Sequence, residues 1–202
     1  MTIDRLRAAL LAGGAAAEGI ASYRGDWEVT SDAGPEDAAR VLTPAAVLIA
    51  LTAEAEPQLL LTKRTSTMTR HPGQIAFPGG RVDPEDDSAI TAALREAEEE
   101  VSLARGQVDV LGTLERYETG TGFSILPVVG VVPTGIEYVA HAREVDEIFH
   151  VPFAHVMNPA NHELRTGEWL GKARKFYVIR HGEREIWGAT AGILVNLSRR
   201  LG

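Results

Sequence analysis

Apolar positions recur at helical spacing at Ile3, Leu6, Leu10 and Leu11, which predicts a helix within residues 1–20. Residues 28–43 are polar and carry Gly34-Pro35, the composition of a linker. Two short apolar runs come next, Ala45–Leu51 and Gln58–Thr62, separated by the polar stretch Thr52–Pro57. Continuous runs of this length predict a hairpin whose strands are buried on both faces. Gly73–Phe77 predicts a short strand ending in a Pro78-Gly79-Gly80 turn. Asp86, Asp87 or Ser88 is placed to cap a helix running to about Val101, because Ile90, Ala93, Leu94, Ala97 and Val101 fall on one face. Segments 107–114, 124–132, 146–151 and 174–180 read as strands. Residues 188–200 read as an amphipathic helix with Ile193, Leu194 and Leu197 inward. Strands and helices mixed in this way, with a helix after a glycine-rich turn, predict an α/β sandwich.

Composition narrows the classes. The chain has 202 residues, 45% hydrophobic and 24% charged, the balance of a globular domain able to bury a core without staples. It has no cysteine, which excludes disulfides, thiolate metal sites and a cysteine nucleophile, and fits a reducing cytoplasm. The net charge of −8 argues against non-specific nucleic-acid binding, which needs a basic footprint. It leaves room for a phosphate-bearing substrate if bound cations supply positive charge. No apolar run is long enough to span a bilayer, so no membrane role is expected, and the acid ahead of the N-terminal apolar stretch reads as an amphipathic helix rather than a signal peptide.

The candidate chemistry lies in Arg95-Glu96-Ala97-Glu98-Glu99-Glu100. Glu96 and Glu100 stand one helical turn apart on one face, and Glu99 flanks the same surface. Like charges so close raise one another's pKa unless a cation lies between them. Mg²⁺ takes oxygen ligands and is commonly completed by substrate phosphates, and a divalent cation can activate water. Upstream, Gly79 and Gly80 let the backbone approach a ligand closely, and Arg95 is placed to hold a carboxylate by a bidentate pair. An Arg–Glu-rich helix face alone is ordinarily a solvated surface. Here it occurs together with a Gly-Gly turn and an acidic cap in one continuous stretch.

That stretch resembles the Nudix box, G-x5-E-x7-R-E-U-x-E-E-x-G-U with U aliphatic. Gly80 to Asp86 and Arg95 to Leu103 carry the match. It departs in three places: Asp86 stands for the first glutamate, the gap to Arg95 is one residue longer, and Ser102 replaces the late glycine. A second stretch, Leu60-Leu61-Thr62-Lys63-Arg64 with Gly73 to Gly80, resembles the signature of the coenzyme A pyrophosphatase subfamily, LLTxRS-x3-R-x3-G-x3-FPGG. Thr65 stands for its serine, and Thr69 for its arginine with Arg70 next. Gly122–Gly130 and Ile186–Gly192 also look like that subfamily.

The resemblance implies a Nudix-type α/β/α sandwich with a mixed β-sheet over residues 44–202, behind an N-terminal helical extension and linker over residues 1–43. It implies Mg²⁺ or Mn²⁺ held by Glu96 and Glu100, with Glu99 as a further ligand or the base and Gly80 contributing backbone. Arg95 would orient the carboxylates. A later loop would add an acid, Glu144 in preference to Glu147. Arg64, Arg70 and Gly79 are the expected substrate-binding residues, with Lys63, Arg64 and Arg70 near enough in sequence to meet a 3′-phosphate, and His71 reads as a surface histidine within reach of phosphate. Trp187 reads as a core or packing residue. The implied reaction is hydrolysis of coenzyme A, or its acyl derivatives, to 3′,5′-ADP and 4′-phosphopantetheine. Two alternatives stand beside it: a Nudix hydrolase of ADP-ribose or another nucleotide, and a nucleotide-sensing module without catalysis. The presence of Glu96, Glu99 and Glu100 together counts against the sensing module. A homodimer is compatible with the sequence but not specified by it.

Overall fold

The computed structural model describes residues 3–12, 24–30, 41–66, 72–169 and 172–202. Gly34-Pro35, Thr69, Arg70 and His71 lie outside the described residues. In chain order the elements are α1 (Ile3–Ala12), β1 (Arg24–Gly25), α2 (Trp27–Thr30), β2 (Thr43–Thr52), β3 (Gln58–Arg64), β4 (Ile75–Ala76), β5 (Gly79–Arg81) and α3 (Ala89–Val101). After these come β6 (Asp109–Thr113), β7 (Tyr117–Glu118), β8 (Phe123–Val132), β9 (Val145–Pro152), α4 (Phe153–Met157), β10 (His162–Trp169), β11 (Lys172–His181), β12 (Arg184–Trp187) and α5 (Ala189–Leu201).

The main sheet runs β1-β7-β8-β2-β3-β4, with β5 also paired to β2, β6 to β8 and β9 to β3. It is mixed: β2 lies parallel to β8, while β2 and β3 form the expected antiparallel hairpin with Leu51 opposite Leu59. Strands β10, β11 and β12 form a separate antiparallel sheet.

The two-residue period of a strand divides β2 between two cores. Ala46, Leu48 and Ala50 pack with Leu60 and Val128 against Ala92, Ala93, Ala97 and Val101 of α3. Ile49 and Leu51 face the opposite way, into a core that includes Leu6 and Leu10 of α1, Phe153 of α4, and Ile193, Leu194 and Leu197 of α5. The continuous apolar run therefore reflects a strand covered by helices on both sides, and the fold is an α/β sandwich with a mixed sheet. Leu48 and Ile49 are fully buried, so truncating either to Ala would cost about 2–5 kcal/mol.

Three local expectations change. Gly79 and Gly80 are not a turn but begin β5, whose Gly79, Gly80 and Arg81 pair with Val47, Ala46 and Ala45. The polar segment assigned to a linker begins inside α2. Strands β10 and β12 occupy stretches in which no strand was expected. Among the three possible caps, Ser88 is the one used, its Oγ accepting from Thr91 N–H at 3.1 Å.

Candidate functional site

Helix α3 packs over β2 and β5, which sets its acidic turn against the Gly-Gly backbone. A Cβ on Gly80 would lie 2.5 Å from both carboxylate oxygens of Glu96, so the carboxylate occupies the space that a side chain here would take. A Cβ on Gly79 would lie 2.5 Å from Ala46 O and 2.7 Å from Val47 Cα, so its constraint comes from the neighbouring strand. The Gly79 N–H donates to Glu100 Oε2 at 3.2 Å.

Arg95 is the hub. Its Nε and Nη2 donate to the two oxygens of Asp86 at 3.1 and 2.9 Å, a bidentate pair. Its Nη1 donates to Glu96 Oε1 at 2.9 Å and Glu99 Oε2 at 3.2 Å, and Nη2 also reaches Arg81 O at 3.1 Å. Aspartate at the position of the first box glutamate thus clamps the loop to the helix. The Arg95 hydrogen bonds hold the Asp86 carboxyl below its ordinary value. The glycine departure is resolved as well: Ser102 closes α3 in the left-handed conformation, φ 57°, ψ 29°, with its N–H on Ala97 O and Glu98 O. Its Oγ donates to Val139 O at 3.2 Å.

The acids are poorly compensated. Glu100 is buried, and burial pushes its carboxyl up to about 8. The Gly79 N–H and Arg64 oppose this, whereas Glu96 and Glu144 add to it. Arg64 Nη1 stands 3.7 Å from Glu100 Oε1. Burial also raises the Glu96 carboxyl, against the pull of Arg95 and with the repulsion of Glu99 and Glu144.

Glu144 comes from far along the chain yet belongs to the group. His141 N–H donates to Glu100 O at 2.9 Å at the end of α3. Thr65 N–H donates to Glu144 O at 3.0 Å, and Thr65 Oγ1 to Arg143 O at 3.2 Å, so the hydroxyl retained in place of the signature serine helps hold this loop. Glu147 lies on β9 opposite Lys63 and is ion-paired with Arg184, away from the cluster.

A cleft of about 620 Å³ adjoins the site; it is lined by the Gly79–Gly80 backbone and Arg64, and Glu96, Glu99, Glu100 and Glu144 lie outside its lining. Arg64, Gly79, Gly80 and Arg81 line one end, and Lys63 does not line it. Phe123, Ile125, Ile193, Phe176 and Trp187 supply apolar wall. Trp187 is 42% exposed, tilted against Phe176 at 5.9 Å between ring centroids, so it is a cleft residue and not a core anchor. Asp26, Thr119 and Arg174 also line the cleft; no motif in the sequence singled them out.

Residues 42–173 match the NUDIX domain family. The chain belongs to the Nudix family. It is 40% identical over 158 residues to an uncharacterized Nudix hydrolase NudL of Enterobacter sp. (strain 638), covering 78% of this chain and 82% of that one. The NudL protein of Escherichia coli K12 is 39% identical over the same coverage. Among solved structures, an Ap4A hydrolase of C. elegans aligns at 21% identity and TM-score 0.46, over 56% of this chain and 82% of that one. The Nudix chain is therefore a pyrophosphohydrolase of a nucleoside diphosphate derivative, in a family that generally uses divalent cations such as Mg²⁺ or Mn²⁺.

The donor set fits such a cation in its chemistry. All candidate ligands are oxygens, and the cluster joins a buried carboxylate to like-charged neighbours. Among the described residues no three His, Asp or Glu side chains converge as they stand. Arg95 draws Glu96 and Glu99 to its guanidinium, and the Gly79 N–H draws Glu100.

Proposed function

We propose that this Nudix chain hydrolyses the diphosphate bond of coenzyme A, or of its acyl derivatives, to 3′,5′-ADP and 4′-phosphopantetheine, or its acylated form. The observation that carries the reading is the close approach of Gly80 to Glu96 beside the cleft, with Arg64 beside Glu100. It joins the two stretches whose residues resemble the coenzyme A pyrophosphatase signature, Leu60–Arg64 and Phe77–Gly80, to the acidic helix. Glu96 and Glu100 are the principal ligands for Mg²⁺ or Mn²⁺, with Glu99 and the Gly80 backbone completing the set. The bound cation would neutralise phosphate oxygens and lower the pKa of water.

The chain's own groups do the rest. Arg95 fixes the direction of Glu96 and Glu99 and ties them to Asp86. Arg64 and the Gly79 backbone meet the diphosphate, Arg64 by charge-assisted hydrogen bonds. A water oxygen bonds to one phosphorus, the bridging P–O bond breaks, and the water proton passes to a carboxylate. Glu144 and Glu99 are the two candidate acceptors: Glu144 adds to the negative field at Glu96 and Glu100 and stands 3.6 Å from His141, and Glu99 is held by Arg95. Arg70 is assigned to the substrate 3′-phosphate on its neighbourhood in sequence.

The test is a chromatographic product assay with Mg²⁺ and, in parallel, coenzyme A, ADP-ribose and a nucleoside triphosphate. Formation of 3′,5′-ADP and 4′-phosphopantetheine faster than the other products is expected. Preference for ADP-ribose or the triphosphate would discard the coenzyme A assignment and keep the Nudix chemistry.

A further inference from the structure

The paired strands beneath the cleft form an unbroken row. Arg81 on β5 pairs with Ala45, Ala45 with Ile125, Ile125 with Tyr117, and Tyr117 with Arg24 on β1. Four strand spacings of about 4.8 Å place the two ends roughly 19 Å apart. One end is the Gly80–Arg81 backbone beside the acidic helix. At the other, Asp26 comes directly after β1 and enters the cleft wall. Asp26 precedes the matched family domain, which begins at residue 42.

Asp26 is built in with care. Tyr117 Oη donates to Oδ1 at 2.9 Å, and Gly120 N–H donates to Oδ2 at 2.7 Å. Three glycines make the arrangement possible. A Cβ on Gly25 would lie 2.6 Å from Glu118 O, one on Gly192 would lie 2.8 Å from Tyr117 Cζ, and one on Gly120 would run into the Arg174 guanidinium. The carboxylate therefore fixes the turn that carries Thr119, Gly120 and Thr121 into the cleft. Arg174 flanks the same turn, its guanidinium filling the space a side chain on Gly120 would take. What Asp26 offers a ligand is hydrogen-bonding capacity, since each of its oxygens has one donor and retains a lone pair. Between the two ends the floor is apolar, with Ala45, Val47 and Ile125.

We propose that Asp26 and the Thr119–Thr121 turn form a specificity subsite for the uncharged arm of the substrate, an amide- or hydroxyl-bearing chain that leaves the diphosphate and crosses the sheet. This rests on the reading that the diphosphate sits at Arg64 and Gly80. A phosphate-rich arm is disfavoured by the apolar floor it would have to cross. An uncharged polar arm crosses that floor and donates at its far end.

The test is steady-state kinetics of the full chain with Mg²⁺ on two substrates, coenzyme A and the β-methyl ester of 3′-phosphoadenosine 5′-diphosphate. The ester keeps the diphosphate and shrinks the arm to a methyl group. Asp26→Ala is expected to raise KM for coenzyme A about tenfold, the worth of one or two hydrogen bonds, with kcat within about twofold. The methyl ester should keep its kcat/KM within about twofold. Tyr117→Phe and Asp26→Asn should give smaller shifts in the same direction, and Asp26→Asn decides the matter if Asp26→Ala does not fold. Equal losses on both substrates would reduce Asp26 to a structural role and overturn the proposal, as would no change on either. Failure of the wild type to cleave coenzyme A would defeat the coenzyme A reading alone. The comparison would then be made between ADP-ribose and the methyl ester of adenosine diphosphate.

Discussion

Two clusters of arginine and glutamate in this protein use the same side chains to opposite ends. On the small sheet, Arg165 donates to Glu163 at 2.9 Å and to Glu185 at 3.1 Å, and Arg180 donates to Glu185 at 2.9 Å. Each acid has an arginine, and both carboxyls are held below their ordinary range, Glu163 by Arg165 and Glu185 first by Arg180. At the end of α3, Arg95 and Arg64 face Asp86, Glu96, Glu99 and Glu100, with Glu144 close by. There Arg95 satisfies Asp86, while burial raises Glu96 and Glu100. A charge cluster that is balanced and wet is decoration with small energetic consequence. One that is buried and short of positive charge has a capacity left over, which under the proposed function a divalent cation would fill.

The sharpest way to break this contrast is to neutralise one acid in each cluster. Glu100→Gln should lower kcat by roughly 10²–10³-fold or more, the scale seen when a charge-stabilising group is removed, with circular dichroism unchanged. Glu163→Gln should leave kcat as it was. Comparable activity in the two variants would remove Glu100 from the site. Chelation by EDTA should take activity to background and added Mg²⁺ or Mn²⁺ restore it; full turnover in excess chelator would end the cation reading.

Arg95→Ala comes next in size. Arg95 is only partly exposed and Asp86 nearly buried, so the loss should fall between the about 1 kcal/mol of a surface pair and the about 3 kcal/mol of a buried one. Chemical denaturation measures it, and a cost no larger than that of Arg165→Ala would erase the distinction between the clusters.

The raised Glu100 carboxyl gives a signed pH effect in chelated protein. Its folded value of about 8 exceeds the ordinary 4.5, so folding favours the protonated form. That contribution is complete below the unfolded value and is lost as pH rises through about 8. Thermal stability in EDTA should therefore fall between about pH 5 and pH 8, and the fall should be shallower in Glu100→Gln. Parallel profiles for the two proteins would contradict the assignment. The smallest effect is Ser102→Gly, which should stabilise by about 0.5–1 kcal/mol by relieving a left-handed residue, less what the Val139 hydrogen bond contributes. A lower melting temperature would mean that the hydrogen bond outweighs the strain.

Legible in the sequence was whatever spacing alone controls. Glu96 and Glu100 share a face because of helical period, and the apolar run of β2 reported burial on both sides. The glycine missing at Ser102 could be noticed but not its consequence, since a cap conformation depends on the path the chain takes after the helix. Glu144 was legible only through resemblance; its approach is made by β3 and β9 pairing and by Thr65, a long way back along the chain. Asp26 was invisible, because its partners Tyr117 and Gly120 lie 91 and 94 residues away. Strand β10, His162–Trp169, was missed because its composition is polar, without the apolar alternation that marks a half-buried strand.

Helices α1 and α5 close one another. Leu6 and Leu10 share a core with Leu197 and Leu201, Arg5 Nη2 donates to Leu201 O at 3.1 Å, and Arg200 Nη2 to Leu10 O at 3.3 Å. On the ribosome, residues 3–12 emerge before residues 189–201 and must wait for them, the whole intervening sheet being made in between. Until then one layer of the sandwich lacks its cover, and the apolar face formed by Ile49 and Leu51 is the surface that a nascent chain would have to shield.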